Sequence, residues 1–376
     1  MITQAVSLCA RIALVLVFAM NGICSRASDK PQKVGFLIPR TSQDMFYGPV
    51  VGFLQAAAKN LNMDIELLEN DNNHLSTAGL VEDALQGDHR PDAFIAVSVK
   101  ESGFTTVKLA EQAKVPVMIE NGAILSPVAG APREHFAYYI GEMLPSEEMA
   151  GYELAKYLIA HGKPARNGKI QVLAFNGAFG SSASDGREKG LRRALLEFPQ
   201  AELKQIVSAR WEPETAQAMF TGLIKRYPET SVVWSASDGM ALGVLKAAKA
   251  RGLVSGRDFV IGGIDWSAEG LAAVRSGALQ ATAGGHFMEA AWALVLVHDY
   301  LAGVDFKNEG LRIKTDMTLL TKANADRYAP LLDPVNWAKI DFSRLSKVHN
   351  PRLKKYSFSV ETVLKLLPQE QGSAKR

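Results

Sequence analysis

The chain has 376 residues, of which 47% are hydrophobic and 22% charged, enough for two cores of ordinary size. Its 42 basic and 39 acidic residues nearly cancel, which leaves no electrostatic footprint for nucleic acid. Both cysteines, Cys9 and Cys24, fall in the first 27 residues.

That segment has the character of a secretory signal. Arg11 is followed by a nine-residue apolar run (IALVLVFAM, 12–20), too short to span a bilayer, and Ser25-Arg26-Ala27 offers a small-x-small cleavage site. A mature chain is expected to begin at Ser28 in the periplasm. A lipid anchor on Cys24 is the weaker reading, since Ile23 stands where a small residue is wanted. Cleavage would leave no thiol, and so no disulfide, thiol chemistry or Cys-ligated metal.

From residue 34 a regular beat begins. Residues 34–39 (VGFLIP) are an apolar run of strand length, and 46–61 carry apolar residues at helical spacing. Strands at 64–69, 92–98 and 115–120 alternate with helices at 76–85 and 104–113. Past about residue 140 the beat restarts: helix 146–160, strand 169–175, helix 186–196, strand 202–209, helix 214–227. Strand 232–236 then runs into Ser237-Asp238-Gly239 and a helix that Gly252 ends, and a further strand reads FVIGGIDW (259–266). Short continuous apolar strands alternating with helices predict α/β lobes, each a doubly wound parallel sheet covered on both faces. Residues 321–376 lose the beat and hold Trp337 and a basic cluster at Arg352, Lys354 and Lys355.

Ligands of open α/β sheets sit beyond the carboxyl ends of strands, where Ser237, Asp238 and Asp265 fall. For Asp238 an N-cap role alone explains the residue. Asp265 is harder to explain structurally, because Ser267 is the better cap for the helix that follows. Seven scattered histidines show no metal-ligand spacing, no phosphate loop or GxGxxG is present, and no nucleophile stands with a base. No cofactor and no metal are expected.

The run VVWSASDGMALGVLKAAKARGL with FVIGGIDW resembles the carboxy-terminal lobe of periplasmic sugar-binding proteins of the ribose-binding type, the architecture shared by lac-repressor-like cores. VGFLIPRTSQDMFYGPVVGFLQAAAK resembles that family's first βα unit, and SASDGREKGLRRAL its helix with a ligand-binding arginine. The resemblance, over about 33–320, implies two lobes joined by three crossings, near Gly141, Gly284 and Leu311. The lobes would then be 33–140 with 285–311, and 141–284 with 312–320, followed by a C-terminal extension at 321–376.

Carried over by resemblance, the ligand positions are Asp44, Phe46, Tyr47 and Glu120 in the first lobe. In the second they are Arg187, Trp211, Ser237, Asp265 and Gly285, with His286 beside the last. Aromatic rings suit the C–H faces of a sugar-like ligand, and Asp, Glu and Arg suit its hydroxyls. Read without the resemblance, Phe46 and Trp211 could be core, and Arg187 a solvated face beside Lys189, Arg192 and Arg193. Departures from the family stand at Ser237, at Gly285 and at Asn121 after Glu120, so ribose or galactose is not implied. The function implied is that of a monomeric solute receptor presenting a small polar ligand to an ABC permease. The alternatives are a receptor docked on a membrane-bound sensor kinase or cyclase, as in chemoreception or autoinducer-2 sensing, and a secreted α/β enzyme. The extension reads either as a tail packed across the lobes or as a docking element.

Overall fold

A computed structural model describes residues 30–368; the expected signal segment lies outside the described residues. In chain order the first lobe contributes β1 (Gln32–Ile38), α1 (Tyr47–Asn60), β2 (Met63–Glu69), α2 (Thr77–Gln86), β3 (Ala93–Val97), α3 (Ser102–Ala113), β4 (Val117–Glu120) and β5 (Tyr139–Pro145). The second contributes α4 (Glu147–His161), β6 (Ile170–Asn176), α5 (Ser182–Glu197), β7 (Ala201–Ser208), α6 (Pro213–Arg226), β8 (Thr230–Ser235), α7 (Asp238–Ala250), β9 (Val260–Asp265), α8 (Ala268–Ser276) and β10 (Ala281–Gly284). Then follow α9 (Glu289–Leu301), β11 (Arg312–Thr315), β12 (Thr318–Thr321), α10 (Ala325–Tyr328), α11 (Pro334–Trp337) and α12 (Val360–Leu366).

Strand order is β11-β5-β4-β3-β1-β2 in one sheet and β12-β10-β9-β8-β6-β7 in the other. The first five units of each half therefore wind in the same order, and every pairing is parallel except β10 with β12. Strands such as β3 (AFIAV) and β8 (TSVVWS) are buried along their whole length, which is why they read as continuous rather than alternating apolar runs.

The chain leaves the first sheet after Pro145, returns at Gly284-Gly285 and crosses again between Thr315 and Thr318. Gly141, the expected first crossing, lies inside β5, and Leu311 stands just before β11. The first and last crossings come later because β5 and β11 pair with each other through Glu142↔Arg312 to Pro145↔Thr315 before the chain departs.

Two helices are exchanged across these crossings: α4 covers the second sheet and α9 the first. Helix α9 (EAAWALVLVHDYL) is apolar nearly all round and buried over almost its full length, as such a helix must be. Its outer side is covered by the extension. Phe358 stacks on Trp292 at 5.9 Å, and Asp299 accepts hydrogen bonds from Ser346 Oγ, Lys347 N and Tyr356 Oη. Earlier in the extension, Trp337 packs on Phe53 and Phe287, and Phe342 on Phe53. On the second lobe, Tyr328 meets Trp266 at 5.2 Å and Asp326 pairs with Arg275 at 2.7 Å. The extension is thus a tail packed across both lobes.

Candidate functional site

Helices α4 and α5 approach backbone to backbone, since a Cβ at Gly190 would stand 2.0 Å from Glu148 O and one at Gly151 2.1 Å from Arg187 O. That contact sets Glu147, at the start of α4, against Arg187 on the first turns of α5. Arg187 is 3% exposed, so the solvated-face reading fails. Its Nε donates to Glu147 Oε2 at 2.6 Å and its Nη2 to Oε1 at 3.2 Å. Nη1 donates to Ala236 O at 2.6 Å and to Asp265 Oδ1 at 3.3 Å, and Nη2 meets His286 Nε2 at 3.2 Å. Trp211 lies 5.5 Å from the guanidinium. Burial opposes the charge on Arg187, but Glu147 and Asp265 more than offset it and hold the group above the usual arginine range.

Asn121, Arg210, Trp211, Asp265 and Trp266 all have positive φ, and all stand at or just beyond the carboxyl ends of strands. Left-handed backbone at non-glycine residues costs on the order of 1–3 kcal/mol apiece and gathers where side chains must be aimed. Here it aims Trp211 at Arg187 and turns the Asp265 carboxyl toward Arg187 and His286. Trp266 holds the bend at β9 from beneath, its Nε1 donating to Thr282 O at 3.2 Å.

From the first lobe, Phe46 stacks on His286 at 4.8 Å and meets Tyr47 edge-on at 5.1 Å. Phe46 and Asp265 line one recess together with Met45, Trp266, Ser267 and Phe287. Asp44 accepts from the amides of Phe46 and Tyr47 at 2.8 and 3.1 Å and so orders the start of α1. Tyr47 is buried, and its hydroxyl pKa is raised by burial and then by Glu120 and Asp44. Glu120, at the last position of β4, is 1% exposed, and its Oε1 has no hydrogen-bond partner. Burial pushes its carboxyl up to about 8. His286 is pulled well below the usual imidazole range by burial and then by Arg187; its Nε2 accepts from Arg187, which leaves Nδ1–H without a partner. Gly285 keeps φ at 106°, and a Cβ there would stand 2.6 Å from Val360 Cγ2 in α12.

Two expected roles change. Ser237, not Asp238, caps α7, its Oγ accepting from Met240 N at 3.2 Å. Asp238 is fully buried and accepts from Ser267 N and Ser267 Oγ, both at 2.9 Å, and from Thr282 Oγ1 at 2.7 Å. It ties α7, α8 and β10 together, a role that local cap preference cannot reveal because its partners lie far along the chain. Ser267 does cap α8, as its Oγ accepts from Gly270 N at 2.9 Å.

Sequence reasoning missed Glu147, whose partner stands 40 residues away, and Glu289. The latter did leave a signal, a carboxylate heading an otherwise apolar helix. It is fully buried, bonded to Thr315 Oγ1 through Oε1 and unpartnered at Oε2; burial and then Glu120 push its pKa up. Also unforeseen are the lobe-to-lobe contacts at the mouth: Arg40 Nη2 to Glu212 Oε1 at 2.8 Å, Ala123 N to Ser182 Oγ at 2.9 Å and Lys100 N to Gly180 O at 3.2 Å. They hold the lobes against each other.

A family model described as periplasmic binding protein domain matches residues 34–305. The chain is 25% identical over 260 residues to the ribose import binding protein of Bacillus subtilis (strain 168), covering 69% of this chain and 78% of that one. It is similar, with TM-score 0.81 and 32% identity, to a periplasmic sugar-binding protein from Pseudomonas fluorescens, over 89% of this chain and 99% of the other. The periplasmic component of an arabinose ABC transporter from Shewanella sp. ANA-3 shares the fold, with TM-score 0.68, 20% identity, and 80% and 95% of the chains covered.

Proposed function

Because the chain belongs to the periplasmic binding protein domain family, and is a ligand-binding protein rather than an enzyme, we propose that it is a periplasmic solute receptor. It is exported by its amino-terminal segment and acts as a monomer. A sugar or sugar-like polyol is trapped between the lobes and presented to an ABC importer; import binding is named for the ribose relative, and an ABC transporter for the arabinose neighbour. The two lobes close on the ligand by rotation at the three crossings.

The observation that carries this reading is the pairing of aromatic rings with buried, unanswered polar atoms where lobes and crossing meet. Phe46, Tyr47 and Trp211 provide flat apolar faces. Glu120 Oε1, Asn121 Nδ2 and His286 Nδ1 are buried and unpartnered, and each such atom costs on the order of 1–3 kcal/mol until something bonds it. A polyhydroxylated ligand supplies donors and acceptors for all of them at once. Arg187 and Asp265 are the polar anchors of the second lobe. Arg187 is already fully engaged by protein groups, so it fixes Asp265 and His286 as much as it addresses ligand.

The experiment is mass spectrometry of small molecules released by denaturing freshly purified protein, followed by calorimetry of the identified compound on Asp265→Ala. A bound sugar or polyol is expected, with affinity lowered about 30-fold or more by the substitution. Near-native affinity in that variant would show the site to be misplaced.

A further inference from the structure

Buried acidic side chains outnumber buried basic ones around the cleft. Among the described residues Arg187 is the only buried lysine or arginine. Its donors are taken by Glu147, Asp265, Ala236 O and His286. Glu120 and Glu289 are buried to 1% and 0% exposure and take no hydrogen bond from it, with one oxygen each unpartnered. The two carboxyls are close enough that Glu120 raises the pKa of Glu289, and Glu120 also acts on Tyr47. His286 cannot compensate, because its Nε2 faces Arg187 and the ring stays neutral. At the mouth, Arg40 is already shared between Asp44 at 3.7 Å and Glu212 at 2.8 Å.

A neutral sugar could answer the unpartnered donors, Asn121 Nδ2 and His286 Nδ1, with its hydroxyl oxygens. It would leave Glu120 protonated, because it brings no cation for that buried carboxyl to ionise against. An ammonium does: it offers donors only, and its hydrogen bonds to carboxylates are charge-assisted. Resting on the cleft reading above, we propose that the ligand is an amine-bearing sugar or polyol, its ammonium seated against Glu120 Oε1 while its hydroxyls accept from His286 Nδ1 and Asn121 Nδ2. Burial keeps a proton on Glu120 up to about pH 8; the ammonium displaces that proton to solvent and leaves an ion pair.

The test is equilibrium dialysis of the mature protein, at neutral pH, against an equimolar mixture of 2-amino-2-deoxyhexoses, amino-deoxy polyols and their hydroxyl parents, with retained compounds identified by mass spectrometry. An amine is expected to be retained over its own hydroxyl parent by about tenfold or more, a difference of about 1.4 kcal/mol. The isosteric Glu120→Gln should erase that preference. Equal or better retention of a neutral sugar overturns the amine assignment and leaves the receptor reading standing. An amine preference that survives in Glu120→Gln overturns the seat at Glu120, and retention of no compound counts against both.

Discussion

Asp238 and Glu120 are both buried carboxyls, yet their surroundings give them different work. Asp238 accepts three hydrogen bonds from groups on two other elements, so removing it strands a buried amide and two hydroxyls. Asp238→Ala should cost about 2–4 kcal/mol in urea unfolding, where a simple N-cap would cost about 1; a loss near 1 would return it to the cap role. Glu120 has no partner for one oxygen, and its folded pKa, up to about 8, lies well above that of an unfolded glutamate. The folded state therefore holds a proton that the unfolded state gives up. The stability this contributes is fully present below about pH 4.5 and lost as pH rises through about 8, a span of about 5 kcal/mol. Glu120→Gln removes the ionisation, so the variant should gain melting temperature over the parent steadily between pH 5 and pH 8 and level off above that in scanning calorimetry. An offset independent of pH would mean that Glu120 does not carry the proton. The sequence showed neither role: it read Asp238 as an N-cap and named Glu120 a ligand position by resemblance alone. It marked Asp238 by its place after a strand, but a side chain's partners 29 and 44 residues away leave no local pattern.

At the scale of elements, the alternation of strand and helix was legible almost throughout, because parallel strands buried on both faces leave continuous apolar runs. The extension was not legible, since short turns of helix have no periodicity to read. What it left was a complementary sign in α9, whose all-round apolar surface needed a second cover. The cover is held by single large side chains. Trp337 is 6% exposed, sits between Phe53 and Phe287, comes within 2.7 Å of where a Cβ on Gly52 would be, and donates its Nε1–H to Leu331 O at 2.7 Å. Trp337→Ala should lower stability by about 3–5 kcal/mol, as large-to-small changes at packed aromatics do. A shift of the urea midpoint equivalent to less than about 1 kcal/mol would mean that the extension lies on the lobes without being built into them.

At the scale of the whole molecule, the proposed closure has to reckon with a fourth connection. Three crossings join the lobes, and the extension is anchored on both: on the second through Asp326 with Arg275 and Tyr328 with Trp266, on the first through Trp337, Phe342 and the bonds to Asp299. It then returns, since Arg327 and Tyr328 bond Glu361 of α12 and Val360 packs on Gly285 at the second crossing. A strap tied at both ends cannot stay rigid while the lobes rotate apart. Between the anchors at Tyr328 and Trp337 lie only residues 329–336, so that segment must bend if the crossings bend. Hydrogen exchange should therefore slow in 325–337 on ligand binding, in step with the segments around Ser146, Gly285 and Asp316. Cutting the mouth contact by Arg40→Ala should favour the open form and weaken ligand two- to fivefold, the modest effect of a part-exposed ion pair, without changing the unfolding midpoint. If exchange in 325–337 is indifferent to ligand while the crossings respond, the strap moves with one lobe alone and its contacts to the other break on opening.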